Sequence, residues 1–210
     1  FHAIAYALKL LHNHTCRFYL VHTYTPPIYR VDYTLGSPGQ LGLPDVQRNS
    51  AEEALEDAIE KIKPLSNPAK HTFVSHAAFN TLAEEMDSIS HKEGIDFIVM
   101  GTQGATGAME ILFGSNTVQV IQKSAVPVLV IPNDFEYEPP RNILFPTDYE
   151  VDYQKAHLDF LLKFSKLEHS KLHILHISSP EGLDEEQVNQ KVRLEGKLLE
   201  HNHEFYDLPD

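Results

Sequence analysis

Glycines at 101, 104 and 114, the last followed by Ser115, are spaced to hold an anion. The apolar run Phe97–Met100 before them reads as a buried parallel strand. Residues 116–123 read as a helix, and Val126–Ile131 as the next strand. Strand, glycine loop, helix and strand in that order place backbone N–H groups and a helix N-terminus around a phosphate. Gly101 and Gly104 let the main chain come close to a ligand and take up positive φ. Gly114 and Ser115 stand where the helix begins, so its orphan N–H groups face the loop and its dipole favours an anion there. The same residues have a plainer reading. Ser115 is also an ordinary N-cap residue, and the glycines can serve only a strand-to-loop turn, so the residues alone leave both open.

Other chemistry finds less support. Of the thirteen histidines, the close sets are His12 and His14, His173 and His176, and His201 and His203. On a strand, His173 and His176 point to opposite faces. On a helix, His201 and His203 do not share a face. No HExxH pattern accompanies them, which argues against a dedicated zinc site. Residues 101–107 read G-x-x-G-x-x-G, the wrong first spacing for dinucleotide readout. There is neither a nucleophile elbow nor a Walker lysine after the glycine loop. Ser115 has no identifiable base and is better suited to hold a phosphate than to attack one.

The elements that must position this loop follow from periodicity and punctuation. Residues 1–12 read as an amphipathic helix and 17–24 as a strand. Residues 25–49 contain four prolines and three glycines and read as a long irregular excursion. Ser50 with Glu53 forms a capping box for a helix that stops before Pro64. A short strand at 71–76 follows, then a helix from Asn80 to about His91 that Gly94 ends, then the 96–101 strand. Residues 108–113 read as a short helical turn over the loop. After the acidic, proline-containing stretch 132–140 the pattern restarts: a strand at 142–148, a helix over 152–166, a strand at 171–177 and a helix over 184–203, with Phe205 opening a further extended piece. Residues 3–11 correspond in kind to 156–162, and Phe18–His22 to Leu172–His176, an internal repeat. Strands separated by helices give right-handed crossovers and a parallel sheet.

Composition narrows the function. The chain has 210 residues and 42% apolar residues, enough for a packed core. A net charge of −13 argues against nucleic acid or an anionic membrane surface as partner, although backbone amides hold phosphate without a basic patch. The single cysteine, Cys16, excludes an internal disulfide framework and points to a reducing, cytoplasmic compartment. No apolar run approaches the roughly 20 residues of a membrane span, and no signal peptide is visible.

Gly-x2-Gly-x9-Gly-Ser, with Asp96–Gly101 before it and Pro127–Ile131 after it, resembles the nucleotide-binding signature of the universal stress protein family. The resemblance covers nearly the whole chain. It implies an α/β fold with a doubly wound parallel sheet of order 3-2-1-4-5, adenine-nucleotide alpha-hydrolase-like and Rossmann-like, present as a tandem repeat with an incomplete second copy. Residues 1–133 are then a first domain lacking its first strand, 134–141 a linker, and 142–210 a partial second domain.

The resemblance also implies a function: binding of an adenine nucleotide, ATP foremost or else AMP or ADP, with Mg2+ accompanying the phosphates, as a stress-response sensor or switch. It carries site residues with it. These are main chain at Val21 and His22; Met100, Gly101, Gln103 and Gly104 from the fourth strand and its loop; and Gly114, Ser115, Asn116 and Thr117 at the helix start. Gln103 stands where many members carry histidine. The first-strand loop with its aspartate is matched only by Pro146, Thr147 and Asp148 of the second copy, where Asp148 also reads as a simple turn acid. One arrangement would insert residues 142–147 as the missing central strand of the first copy. The resemblance further implies a homodimer through the apolar 126–131 edge strand, since such an edge needs a cover. Two rivals stay open: a nucleotide-free interaction module, and a slow ATP-hydrolysing enzyme.

Overall fold

The computed structural model describes residues 1–24, 43–102, 114–153 and 158–209, and for 43–45 the backbone alone. The chain forms two compact units, Phe1–Tyr137 and Glu138–Asp210.

The first unit runs α1 (His2–Leu10), β1 (Cys16–Tyr24), α2 (Leu43–Ile62), a 3-10 turn (Lys63–Leu65), β2 (His71–Phe79), α3 (Leu82–Glu93), β3 (Ile98–Gly101), α4 (Ser115–Lys123) and β4 (Val128–Ile131). β1 pairs parallel with β2, with Phe18 opposite Phe73, and β3 pairs parallel with β4, with Gly101 opposite Ile131. These are two separate sheets. They supply the 3-2 and 4-5 pairs of the order the resemblance implies, and among the described residues no strand joins them. Leu20 of β1 packs with Leu8 of α1 and with Leu55 and Ile62 of α2, while Phe18, Phe73 and Ala77 lean on the same cluster. A second cluster joins Ala83 of α3, Ile98 of β3 and Val120 of α4. Full burial of such aliphatic side chains stabilises by about 1.5–3 kcal/mol each.

The second unit runs β5 (Asn142–Pro146), α5 (Asp159–Leu167), β6 (Lys171–Ser178), α6 (Glu185–Leu198) and β7 (His203–Pro209), with one parallel sheet in the order β5-β6-β7. β6 alternates cleanly: Leu172, Ile174 and His176 are buried. Leu172 and Ile174 join Leu194 and Leu198 of α6, with Leu161 and Leu162 of α5 packed against them. On the opposite face Leu144 and Ile177 are exposed.

Several boundaries differ from the sequence reading. α2 begins at Leu43, so Ser50 lies in mid-helix rather than at its cap. Proline is tolerated in the first helical turn, and the Arg48–Glu52 pair at 2.7 Å, four residues apart, supports the added turn. α3 is capped by Thr81, whose Oγ1 accepts from the Glu84 N–H at 3.4 Å, while Asn80 Oδ1 accepts from the Thr81 N–H. Gly94 ends α3 as expected, at φ +65°. β2 is longer than the predicted strand and runs on to Phe79. The helix expected over 152–166 begins only at Asp159, because 147–153 form a hydrogen-bonded turn. α6 ends at Leu198, so His201 follows the helix and His203 opens β7. β5 pairs with β6 inside the second unit, so residues 142–147 are not the inserted central strand of the first. The turn expected over 108–113 lies outside the described residues.

Candidate functional site

In the first unit the chain leaves β3 at Gly101 and re-enters regular structure at Gly114. Two bonds tie these ends together. The Gly114 N–H donates to the Thr102 carbonyl at 2.6 Å, and Thr117 Oγ1 donates to the Gly101 carbonyl at 3.0 Å. The Thr102 N–H donates in turn to Ile131 on β4 at 3.2 Å. Thr117 and Thr102 are buried, so these bonds are shielded from water.

The N-cap of α4 is Gly114 with no side-chain cap, and Ser115 is the first helical residue rather than the cap. The first turn carries no acidic residue. Its N–H groups and the positive end of its dipole are therefore uncompensated by a carboxylate within the helix. Ser115 and Asn116 are exposed there. Gly101 does not use positive φ; among the described residues the left-handed glycines are Gly94 and Gly182. Its contribution is the carbonyl that Thr117 holds. Met100 precedes it on β3, half-buried. Val21 and His22 lie near the end of β1, opposite His76 and Ala77 of β2. Gln103 and Gly104 lie outside the described residues.

Near β1, His76 Nε2 and Glu85 Oε1 lie 2.6 Å apart, and Asn80 Nδ2 donates to Glu85 Oε2 at 3.0 Å. The Asn80 bond first, and then His76, hold the Glu85 carboxyl below the usual range. No spacing in the sequence singled out this trio, which β2 and α3 bring together.

In the second unit Pro146, Thr147 and Asp148 help line a cleft of about 650 Å³, with Phe145, Leu175 and Ile177 among its apolar walls. The cleft lies at the carboxyl ends of parallel strands, where α/β sheets bind ligands. The turn that carries Asp148 is heavily tied. The Thr147 N–H donates to the Leu175 carbonyl at 2.9 Å. Thr147 Oγ1 accepts from the Tyr149 N–H at 3.0 Å and is hydrogen-bonded to the Tyr153 hydroxyl. Asp148 Oδ1 accepts from the Glu150 N–H, and the Asp148 carbonyl accepts from Gln187 Nε2, both at 3.0 Å. Gln190 Oε1 accepts from the Tyr153 N–H at 3.1 Å.

α6 can supply these contacts because it starts on a full capping box, Asp184 with Gln187. That spacing is a local signal in the sequence that the reading of a helix over 184–203 did not use. The helix's reach across to the turn is not a local signal. Tyr149 and Tyr153 are buried, which raises both phenols, Tyr149 to about 12 with Asp207 adding to the effect. Behind Tyr149, His176 Nδ1 lies 3.1 Å from Asp207 Oδ1. His173 is on the other face, 3.0 Å from both the Tyr206 hydroxyl and Asn142 Oδ1, so the two histidines do diverge.

Comparison with known proteins agrees with this architecture. The model of the Universal stress protein family matches residues 1–132. Two universal stress proteins of Methanocaldococcus jannaschii are similar in sequence. One is 52% identical over 48 residues, 23% of this chain and 30% of that protein. The other is 31% identical over 106 residues, 50% of this chain and 62% of that protein. The chain therefore spans less than two thirds of the length of either. Among solved structures, a universal stress protein from Archaeoglobus fulgidus aligns with a TM-score of 0.67 at 20% identity, over 99% of this chain and 73% of that one, a likeness of fold. No described helix is long and apolar enough to cross a membrane.

Proposed function

The chain belongs to the universal stress protein family, and from that premise we propose that it binds an adenine nucleotide, ATP foremost, and acts as a nucleotide-dependent sensor or switch. The observation that carries the reading is the turn between β3 and α4. Thr117 and the Gly114 N–H hold the Gly101 and Thr102 carbonyls together with the start of α4, a helix N-terminus whose first turn holds no acid. That arrangement suits the phosphates, with Ser115 offering its hydroxyl and backbone N–H. Mg2+ would travel with the phosphates rather than on a protein carboxylate.

A second nucleoside-sized site is supported by the cleft in the second unit. Its apolar walls suit a flat base, and Asp148 at its edge suits ribose hydroxyls as acceptor. The apolar edge of β4 is read as the dimer seam, and a monomeric mass by light scattering would remove that part of the proposal.

The test is calorimetric titration of ATP, with and without Mg2+, into the parent chain, Gly114→Val and Asp148→Asn. Binding lost in Gly114→Val places the phosphates at the glycine turn. Binding lost only in Asp148→Asn moves the site to the second-unit cleft. No binding by the parent would leave a nucleotide-free interaction module. Saturable ATP turnover abolished by Ser115→Ala would instead favour a slow hydrolase.

A further inference from the structure

We propose that Tyr149 is a positioning residue for Asp148, a role that rests on reading the second-unit cleft as a nucleoside site. Its backbone is left-handed, at φ +61°, a conformation that bulky side chains adopt only when their surroundings impose it. Its side chain shows what imposes it. The residue is 1% exposed. Its ring lies 4.9 Å from the His176 ring, and the Lys191 ammonium sits 5.5 Å from its centroid. His176 and Lys191 both engage Asp207, at 3.1 and 3.4 Å. β6, α6 and β7 thus grip one tyrosine.

The grip acts on the residue before it. With Tyr149 drawn inward, its N–H closes onto Thr147 Oγ1 and the next N–H, of Glu150, closes onto Asp148 Oδ1. Gln187 fixes the Asp148 carbonyl from the other side. One carboxylate oxygen of Asp148 is thereby committed to the turn, and Oδ2 has no partner among the described residues at the edge of the cleft. A carboxylate held in this way loses little freedom when it accepts a ligand hydroxyl. Asp148 is exposed, and its one side-chain bond, from the Glu150 N–H, lies in the turn that the buried tyrosine anchors. A glycine would meet the backbone demand at 149 without strain but would supply no anchor. The tyrosine is therefore best explained by the anchor.

The experiment is a double-mutant cycle on the full chain, read by ATP calorimetry. Asp148→Asn and Tyr149→Ala should each weaken binding by about tenfold, the scale of one lost charged hydrogen bond. Tyr149→Phe should bind as the parent does. Tyr149→Leu, which keeps a buried apolar group, guards against misfolding of the alanine variant and should give an intermediate loss. In the Asp148→Asn background, Tyr149→Ala should add less than about twofold, because it acts through the lost carboxylate. An undiminished loss in that background would overturn the proposal, since a purely structural role predicts it. If the parent does not bind ATP, the nucleoside reading fails, and amide exchange of the ligand-free protein decides the positioning role. Exchange at Glu150 faster by about tenfold in Tyr149→Ala but not in Tyr149→Phe supports it, and equal exchange in all three overturns it.

Discussion

Replacing Thr117 by valine tests whether the end of β3 is held to the start of α4. Thr117 is 3% exposed, and its hydroxyl donates to the Gly101 carbonyl at 3.0 Å, bridging the end of β3 to the first turn of α4. Valine keeps the branched shape and removes only the donor. Removing the donor and leaving the carbonyl dry costs about 1–3 kcal/mol. The extra buried methyl returns up to about 0.8 kcal/mol. The balance is a destabilisation of about 1–2 kcal/mol. With a urea slope of about 1.5 kcal/mol/M, the unfolding midpoint of the first unit should fall by about 1 M. The chain has no tryptophan, so far-UV circular dichroism follows the melt, and amide exchange at Val118–Val120 assigns it to α4. ATP affinity should fall with it, while Thr117→Ser, which keeps the hydroxyl, should retain affinity. A Thr117→Val midpoint equal to or above that of the parent would refute the clamp.

Three further outcomes follow from the same geometry. Glu85 has a folded carboxyl value below its ordinary 4.5 because of Asn80 and His76, so folding favours the charged form. Its contribution is complete above the unfolded value and is lost as pH falls through the folded one. Acid melts of Glu85→Gln should lack this part of the parent's loss of stability below about pH 4.5, and superimposable acid limbs would count against the trio. Gly94→Ala meets open space but a backbone at φ +65°, so it should cost about 1–2 kcal/mol from conformation alone in a thermal melt. Leu194→Ala removes a fully buried side chain from the second core and should cost about 2–5 kcal/mol. By amide exchange that loss should fall on β6 and α6, with the first unit's protection unchanged.

What the sequence by itself determined is local chemistry. The alternation of β6, the stop at Gly94, the apolar strands flanking the glycine loop and the acid after β5 were all legible, because period, capping and glycine spacing are properties of neighbouring residues. The errors have the same origin. Ser50 and Asn80 each have the right chemistry for a cap, but helix propensity upstream of Ser50 and the adjacent Thr81 won those positions. The role expected of Gly101 was backbone freedom, and its observed contact is a carbonyl held by Thr117.

Only tertiary structure decided the rest. Residues 142–147 carry an apolar pattern that suits any central strand, and pairing with β6 fixed which sheet they joined. No pattern along the chain singles out Gln187, Gln190, Lys191 or Asp207 for the contacts they make. α6 brings the first three to the Tyr149 turn across 37 to 42 positions of chain, and β7 brings Asp207 to His176 and Lys191 behind it, separations that no local pattern records. The physical reason is that such contacts are set by how helices pack on a sheet, a long-range arrangement that spacing along the chain constrains but does not specify.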